Sequence, residues 1–252
     1  MARRMCWLVL CFALGAGVLA SGRGSARFAQ ASEAESGARA DGVAVLERKL
    51  DTRVAKFDTG GRTLLQCVVD LAFQYKLPGA IEYAGGGGAT RKLELQFEDE
   101  TVRSMLEKLV KQNAGYRVDF SGGIVDVFSP RARQDAENPF NEVIRDVSVR
   151  DVDTHQADAD LLCALGRQRG GQVCTASIAK GQWPNVKITL HMQNAKVYEI
   201  LNAIVAQNGE AIWAVTYWPE EYYKRNENFW YVYALEEAFR ETVYEGLVAA
   251  RR

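Results

Sequence analysis

Lys92 to Asn113 reads KLELQFEDETVRSMLEKLVKQN, and Lys187 to Asn208 reads KITLHMQNAKVYEILNAIVAQN. At an offset of 95 residues (187 minus 92), Lys92, Leu95, Val102, Leu106, Val110, Gln112 and Asn113 recur as Lys187, Leu190, Val197, Leu201, Val205, Gln207 and Asn208. In the first stretch Leu93, Leu95 and Phe97 alternate with Lys92, Glu94, Gln96 and Glu98, the pattern of a strand with one wet face. Asp99 then stands where a helix cap is needed, ahead of a stripe made by Val102, Met105, Leu106, Leu109 and Val110. The second stretch repeats the plan with Ile188, Leu190 and Met192, with Asn194 in the capping place, and with Val197, Ile200, Leu201, Ile204 and Val205. The copied positions are those of a core and its caps. None is a reactive side chain, which points to a binding or assembly module and away from an enzyme.

Working outward, RVAKF (Arg53 to Phe57) alternates as a strand, and Leu64, Leu65, Val68, Leu71, Ala72 and Tyr75 mark a helix that Pro78 and Gly79 stop. AIEY (Ala80 to Tyr83) is a short strand, and Gly85 to Gly88 form a slack connection. After the first repeat, YRVDF and IVDVF flank Ser121-Gly122-Gly123 as a hairpin, with Arg117, Asp119 and Asp126 as its polar positions. Residues 131–141 read as a linker. EVIRDVSV (Glu142 to Val149) is a strand, Leu161, Leu162 and Leu165 mark a shorter helix, and Gly166 to Pro184 is an irregular insertion. A second hairpin runs from Ala211 to Tyr217 and from Phe229 to Leu235, followed by a helix with Leu235, Phe239, Val243 and Leu247 on one stripe. The fold class expected is α+β: two tandem small βαββαβ-like domains, each a small mixed sheet with two helices on one face, plus a C-terminal helix. The domains span residues 43–130 and 142–252.

Arg3 and Arg4 followed by the apolar run Met5 to Ala20 read as a signal peptide within residues 1–26, with cleavage after Ala20 or Ala26. The run falls short of the ~20 residues that a spanning helix needs, and no transmembrane segment is expected after it. Residues 27–42, rich in Ala, Ser, Gly and Glu, read as a flexible leader. With 31 basic and 32 acidic residues there is no electrostatic footprint for nucleic acid or an anionic membrane. Outside the signal the cysteines are Cys67, Cys163 and Cys174, of which Cys163 and Cys174 are the pair able to close a short disulfide loop in an oxidising compartment.

A strand, a helix such as LLQCVVDLAFQY, then KLELQFEDETVRSMLEKLV and a small hairpin resembles the short N-terminal domain shared by secretins and TonB-dependent receptors. Leu93 to Asn113 with Gly115, and Ile188 to Asn208 with Gly209, carry the resemblance, and Thr63 to Tyr83 matches the family's first helix and strand. It implies an exported protein of the cell envelope of a Gram-negative type bacterium, periplasmic in location, whose domains contact other proteins. No barrel or pore segment follows in this sequence, and the family supplies no catalytic residues to transfer.

Candidate sites are few. His191 falls on the polar face of its strand, where the first copy has Gln96. His155 lies in RDVDTHQADAD with Asp151, Asp153, Asp158 and Asp160, a run lacking the glycine and closing glutamate of a calcium loop; it reads as a solvated acidic connection, with Asp158 placed to cap the next helix. The glycines at 85–88 open onto a strand and not onto a helix, so they do not form a phosphate loop. Cys67 sits on an apolar helix face with no histidine near it in sequence. No cofactor and no metal is expected. The second hairpin stands apart, because it is aromatic or apolar on both faces and must be covered twice. The chain's own last helix is the expected cover for the hairpin face, while Trp218, Tyr222 and Tyr223 on the loop, with Trp230 on the following strand, are the expected partner-binding residues. The function expected is a non-enzymatic protein-interaction module that meets an envelope protein through a sheet edge or the aromatic loop. The alternative is a periplasmic binder or sensor of a small envelope ligand such as a glycan fragment. N-terminal sequencing of the secreted protein checks the export reading: the mature chain should begin at Ser21 or Arg27, and an intact Met1 would refute cleavage.

Overall fold

The strand expected at AIEY lies at the centre of the largest sheet among the described residues. The computed structural model describes residues 41–83, 91–136, 138–168, 170, 186–216, 230–236, 239–241 and 243. By contacts the chain divides into Met1–Ala34 and Glu35–Arg252, and all the described residues belong to the second unit. The described chain is a mixed α+β structure with no barrel.

The first half runs from α1 (residues 41–50) through β1 (Arg53–Asp58), α2 (Leu64–Tyr75), β2 (Gly79–Tyr83), β3 (Gln96–Thr101) and α3 (Val102–Lys111) to the hairpin β4 (Arg117–Asp119) and β5 (Val125–Phe128). A short helix α4 (Pro130–Gln134) and a single 3-10 turn at Pro139–Asn141 lead into the second half. That half holds β6 (Val143–Val152), α5 (Thr154–Gln168), β7 (Ile188–Lys196), α6 (Val197–Asn208) and the hairpin β8 (Ala211–Thr216) and β9 (Trp230–Ala234). β1 pairs antiparallel with β3, and β6 with β7, as two separate ribbons.

The remaining strands join across the halves. Their order is β4-β5-β2-β8-β9, with β2 parallel to both β5 and β8. Each half was expected to close its own small sheet. Instead one sheet joins the strands on either side of residues 131–141, and the helices of the two halves pack on its opposite faces. Ile81, Val125, Val127, Ile212, Ala214 and Tyr233 join the core built by α1, α2 and α3. Ala80, Ile124, Ala211, Trp213 and Val232 join the core built by α5 and α6. The alternation of β8 thus sends Ile212 and Trp213 into different cores, which is why its sequence is apolar on both sides. The last segment covers part of the first face: Val243 is buried in that core and the Phe239 ring lies 6.4 Å from Tyr233. The cover expected from the final helix is therefore one contribution among several, and the second half's own helices supply the opposite side.

The repeated residues do the same work twice. Asp99 and Asn194 do not cap the following helices. Both have left-handed backbone, with φ 52° and 51°, inside strands that run on to Thr101 and Lys196, and short polar residues tolerate that conformation best after glycine. The caps come two residues later. Thr101 Oγ1 accepts from Ser104 N at 3.2 Å, and the Glu199 carboxylate accepts from Lys196 N at 2.8 Å. Asn113 and Asn208 are both buried, and each side-chain oxygen accepts the backbone N–H two residues on, from Gly115 and Glu210, turning the chain from helix into hairpin. In the ribbon β6–β7, side-chain amides occupy backbone groups that a further strand would need. Gln168 accepts from Arg145 N and donates to Val143 O, and Gln207 accepts from Thr189 N and donates to Thr189 O.

At Gly79 the shared sheet leaves little room for a side chain. A Cβ there would stand 3.1 Å from Val125 O and 3.6 Å from the Ile212 side chain, between the two flanking strands. Gly79→Ala should lower stability by about 1–3 kcal/mol through this crowding, read as a fall in the urea midpoint at unchanged slope.

Candidate functional site

On the sheet face turned to α6, the row of apolar residues is interrupted by two carboxylates. Glu82 and Asp126 share the inward side with Ala80 and Trp213, because β2 and β5 alternate and Ala80 is in register with both Asp126 and Trp213. Their side chains are 0% and 8% exposed. Asp126 is one of the polar positions of the first hairpin, and it is buried because the second half covers that face.

The cation comes from the expected linker. Ser129 Oγ accepts from Ala132 N and starts α4, whose single turn carries Arg133 over the sheet. Arg133 Nε donates to Glu82 Oε1 at 2.7 Å, Nη2 donates to the same oxygen, and Nη2 also donates to Asp126 Oδ1 at 2.8 Å. The guanidinium lies 4.1 Å from the ring centroid of Phe128 and 4.1 Å from that of Tyr198. From α6, Asn202 Nδ2 donates to Asp126 Oδ2 at 3.1 Å, while Asn202 Oδ1 accepts from Trp213 Nε1 at 2.7 Å. Trp213 is fully buried and stacks on Phe140 with centroids 6.0 Å apart. One chain of contacts therefore runs from β2 and β5 through α4 to α6 and β8.

Burial alone would lower the affinity of the Arg133 guanidinium for its proton, but the Glu82 and Asp126 carboxylates outweigh it and hold its pKa raised. Desolvation pushes the Asp126 pKa up, and Arg133 and Asn202 oppose that push without cancelling it. The arrangement holds charge in place at the joint between the halves.

The residues singled out from the sequence lie elsewhere. Trp218, Tyr222, Tyr223 and Cys174 fall outside the described residues, as do residues 85–88. Trp230 opens β9 by its backbone, and its side chain is outside them too. Cys163 on α5 is disulfide-bonded. Cys67 is buried in the first core, and burial raises its thiol pKa to about 12, which suits an inert core residue. His191 is exposed, with Nδ1 3.7 Å from Asp146 Oδ1 across the ribbon. The acidic run is not a solvated connection: it ends β6 and begins α5, so the second half's first helix is longer than expected. Asp153 Oδ1 caps that helix from Gln156 N at 2.8 Å, Asp158 is buried within it and does not cap it, and His155 is exposed. Among the described residues no group of three or more His, Cys, Asp or Glu is arranged to hold a metal, and no helix is long and apolar enough to cross a membrane.

Comparison of the chain with protein-family models, with curated proteins and with solved structures gave no match. The buried node was missed in the sequence although a signal was present: Glu82 and Asp126 interrupt otherwise apolar strands, and polar residues at such positions mark either solvent or a partnered burial. Arg133→Met removes the guanidinium from both carboxylates and should cost about 3–5 kcal/mol in denaturant unfolding. Arg133→Lys keeps the charge without the planar fork, and should recover part of that loss.

Proposed function

We propose that this chain is an exported, non-enzymatic protein-interaction module of the bacterial cell envelope, built from two repeats of the secretin/TonB short N-terminal type that share one sheet. The observation that carries the reading is the use made of the duplication. Repeated residues go to stripes, left-handed turns and helix-to-hairpin turns, as with Asp99 and Asn194 or Asn113 and Asn208. Residues that differ between copies, Asp126 and Asn202 among them, join the copies to each other. Such a division of labour suits a rigid platform, and it spends its polar side chains on assembly.

Two routes to a partner follow from the expected contact surfaces. Strand addition at the β6–β7 ribbon has to displace the Gln168 and Gln207 amides from the backbone groups they occupy. The sequence between β8 and β9 offers Trp218, Tyr222 and Tyr223 beside Glu220, Glu221, Lys224 and Arg225, a mixture of rings and charges suited to a protein surface. The aromatic loop is the favoured route because β8 and β9 already spend their apolar faces on the two cores. A photo-crosslinker placed at Trp218 or Tyr222 in growing cells should capture one envelope protein. Its absence, together with a shift of tryptophan fluorescence on adding peptidoglycan fragments, would replace this reading with the small-ligand one.

A further inference from the structure

We infer that Asp126 is a proton-binding site at the joint between the halves, and that taking up its proton stabilises the folded form as pH falls. The geometry is that of a carboxylate enclosed on every side. It projects from β5 beneath α6, is 8% exposed, and has one guanidinium contact that it divides with Glu82. Its other oxygen meets the neutral amide of Asn202. Arg133 gives Glu82 two of its nitrogens and Asp126 only Nη2. Ionised Asp126 is thus compensated by a shared charge in a desolvated place, whereas the neutral acid loses little there.

The charged and titratable groups around it come from each neighbouring element. Glu82 on β2 and Arg133 on α4 are in direct contact with the same node. Asp119 on β4 adds a repulsive carboxylate, which the Ser121 backbone N–H and hydroxyl hold at 2.9 and 2.8 Å. Tyr198 on α6 stacks on Arg133, with Glu199 and Lys196 beside it. Of these, Arg133 favours ionised Asp126 and Asp119 opposes it, and desolvation prevails.

Because the folded-state pKa of Asp126 is raised above that of the unfolded chain, its proton binds more tightly to the folded form. In the window from the ordinary aspartate value near ~4 up to the raised one, increasing pH ionises the unfolded chain first and draws the equilibrium toward unfolding. Below that window the contribution is constant. Within it one proton changes the unfolding constant by at most about tenfold per pH unit.

The test compares urea unfolding of the purified protein and of Asp126→Asn between pH 4 and pH 8. The wild type should lose stability relative to the variant as pH rises, and parallel profiles would overturn the inference. Should the variant not fold, the carboxyl carbon resonance of Asp126 in the wild-type protein decides alone. A titration midpoint above the ordinary aspartate range supports the inference, and a midpoint within or below it overturns it.

Discussion

The parallel pairing of Gly79–Tyr83 with Ala211–Thr216 is the contact on which the rest of the structure depends. It converts a three-strand set and a two-strand hairpin into one five-strand sheet. With β2 between β5 and β8, Gly79, Ala80 and Ile81 have a neighbouring strand on both sides, and each face of the sheet joins a helix-bearing core. A half-size domain buries too little apolar surface to be comfortable alone. Sharing a sheet lets each half use the other's hairpin as part of its own core, as Ile212 and Tyr233 do in the first and Ala80 and Ile124 do in the second.

The ionic node sits within that shared surface and serves a different purpose from the apolar contacts around it. A buried charge network adds little net stability beside well-packed hydrocarbon, while any misplacement of it is expensive. Only one setting of α6 on the sheet lets Asn202 reach Asp126 with one atom and Trp213 with another. The apolar residues bring the halves together, and the node fixes their register. Arg133 belongs to neither repeat, so the short helix between them acts as a keyed connection.

Much of the local structure was legible because it follows from period. The stripes of α3 and α6, the strand at AIEY and both hairpins lie where alternation and helical spacing put them. What escaped depended on which surface meets which. Asp126 and Trp213 look alike to a local reading: each is one residue in an alternating strand, and only the arrival of the other half decides that both face α6. Asp99 and Asn194 look like caps in the sequence because short polar residues serve caps and left-handed turns equally well, and the strand's extra two residues are set by pairing with β1 and β6. The continuous apolar character of β8 was the clearest tertiary clue in the sequence, and it required two covers, which the two cores supply. The buried node left a fainter trace, since an isolated acid in a strand is ordinary on a wet face.

The shared ladder also dictates an order of events during synthesis. Gly79 and Ile212 are register partners although 133 positions separate them (212 minus 79). A chain that emerges N-terminus first presents the first half complete before β8 arrives, leaving one edge of β2 bare and Ala80, Ile124, Glu82 and Asp126 without α6 above them. Long-range pairing of this kind closes slowly, and an unpaired edge beside apolar surface invites the wrong neighbour in the interval. The nascent first half is therefore the form of this molecule most in need of a holding chaperone.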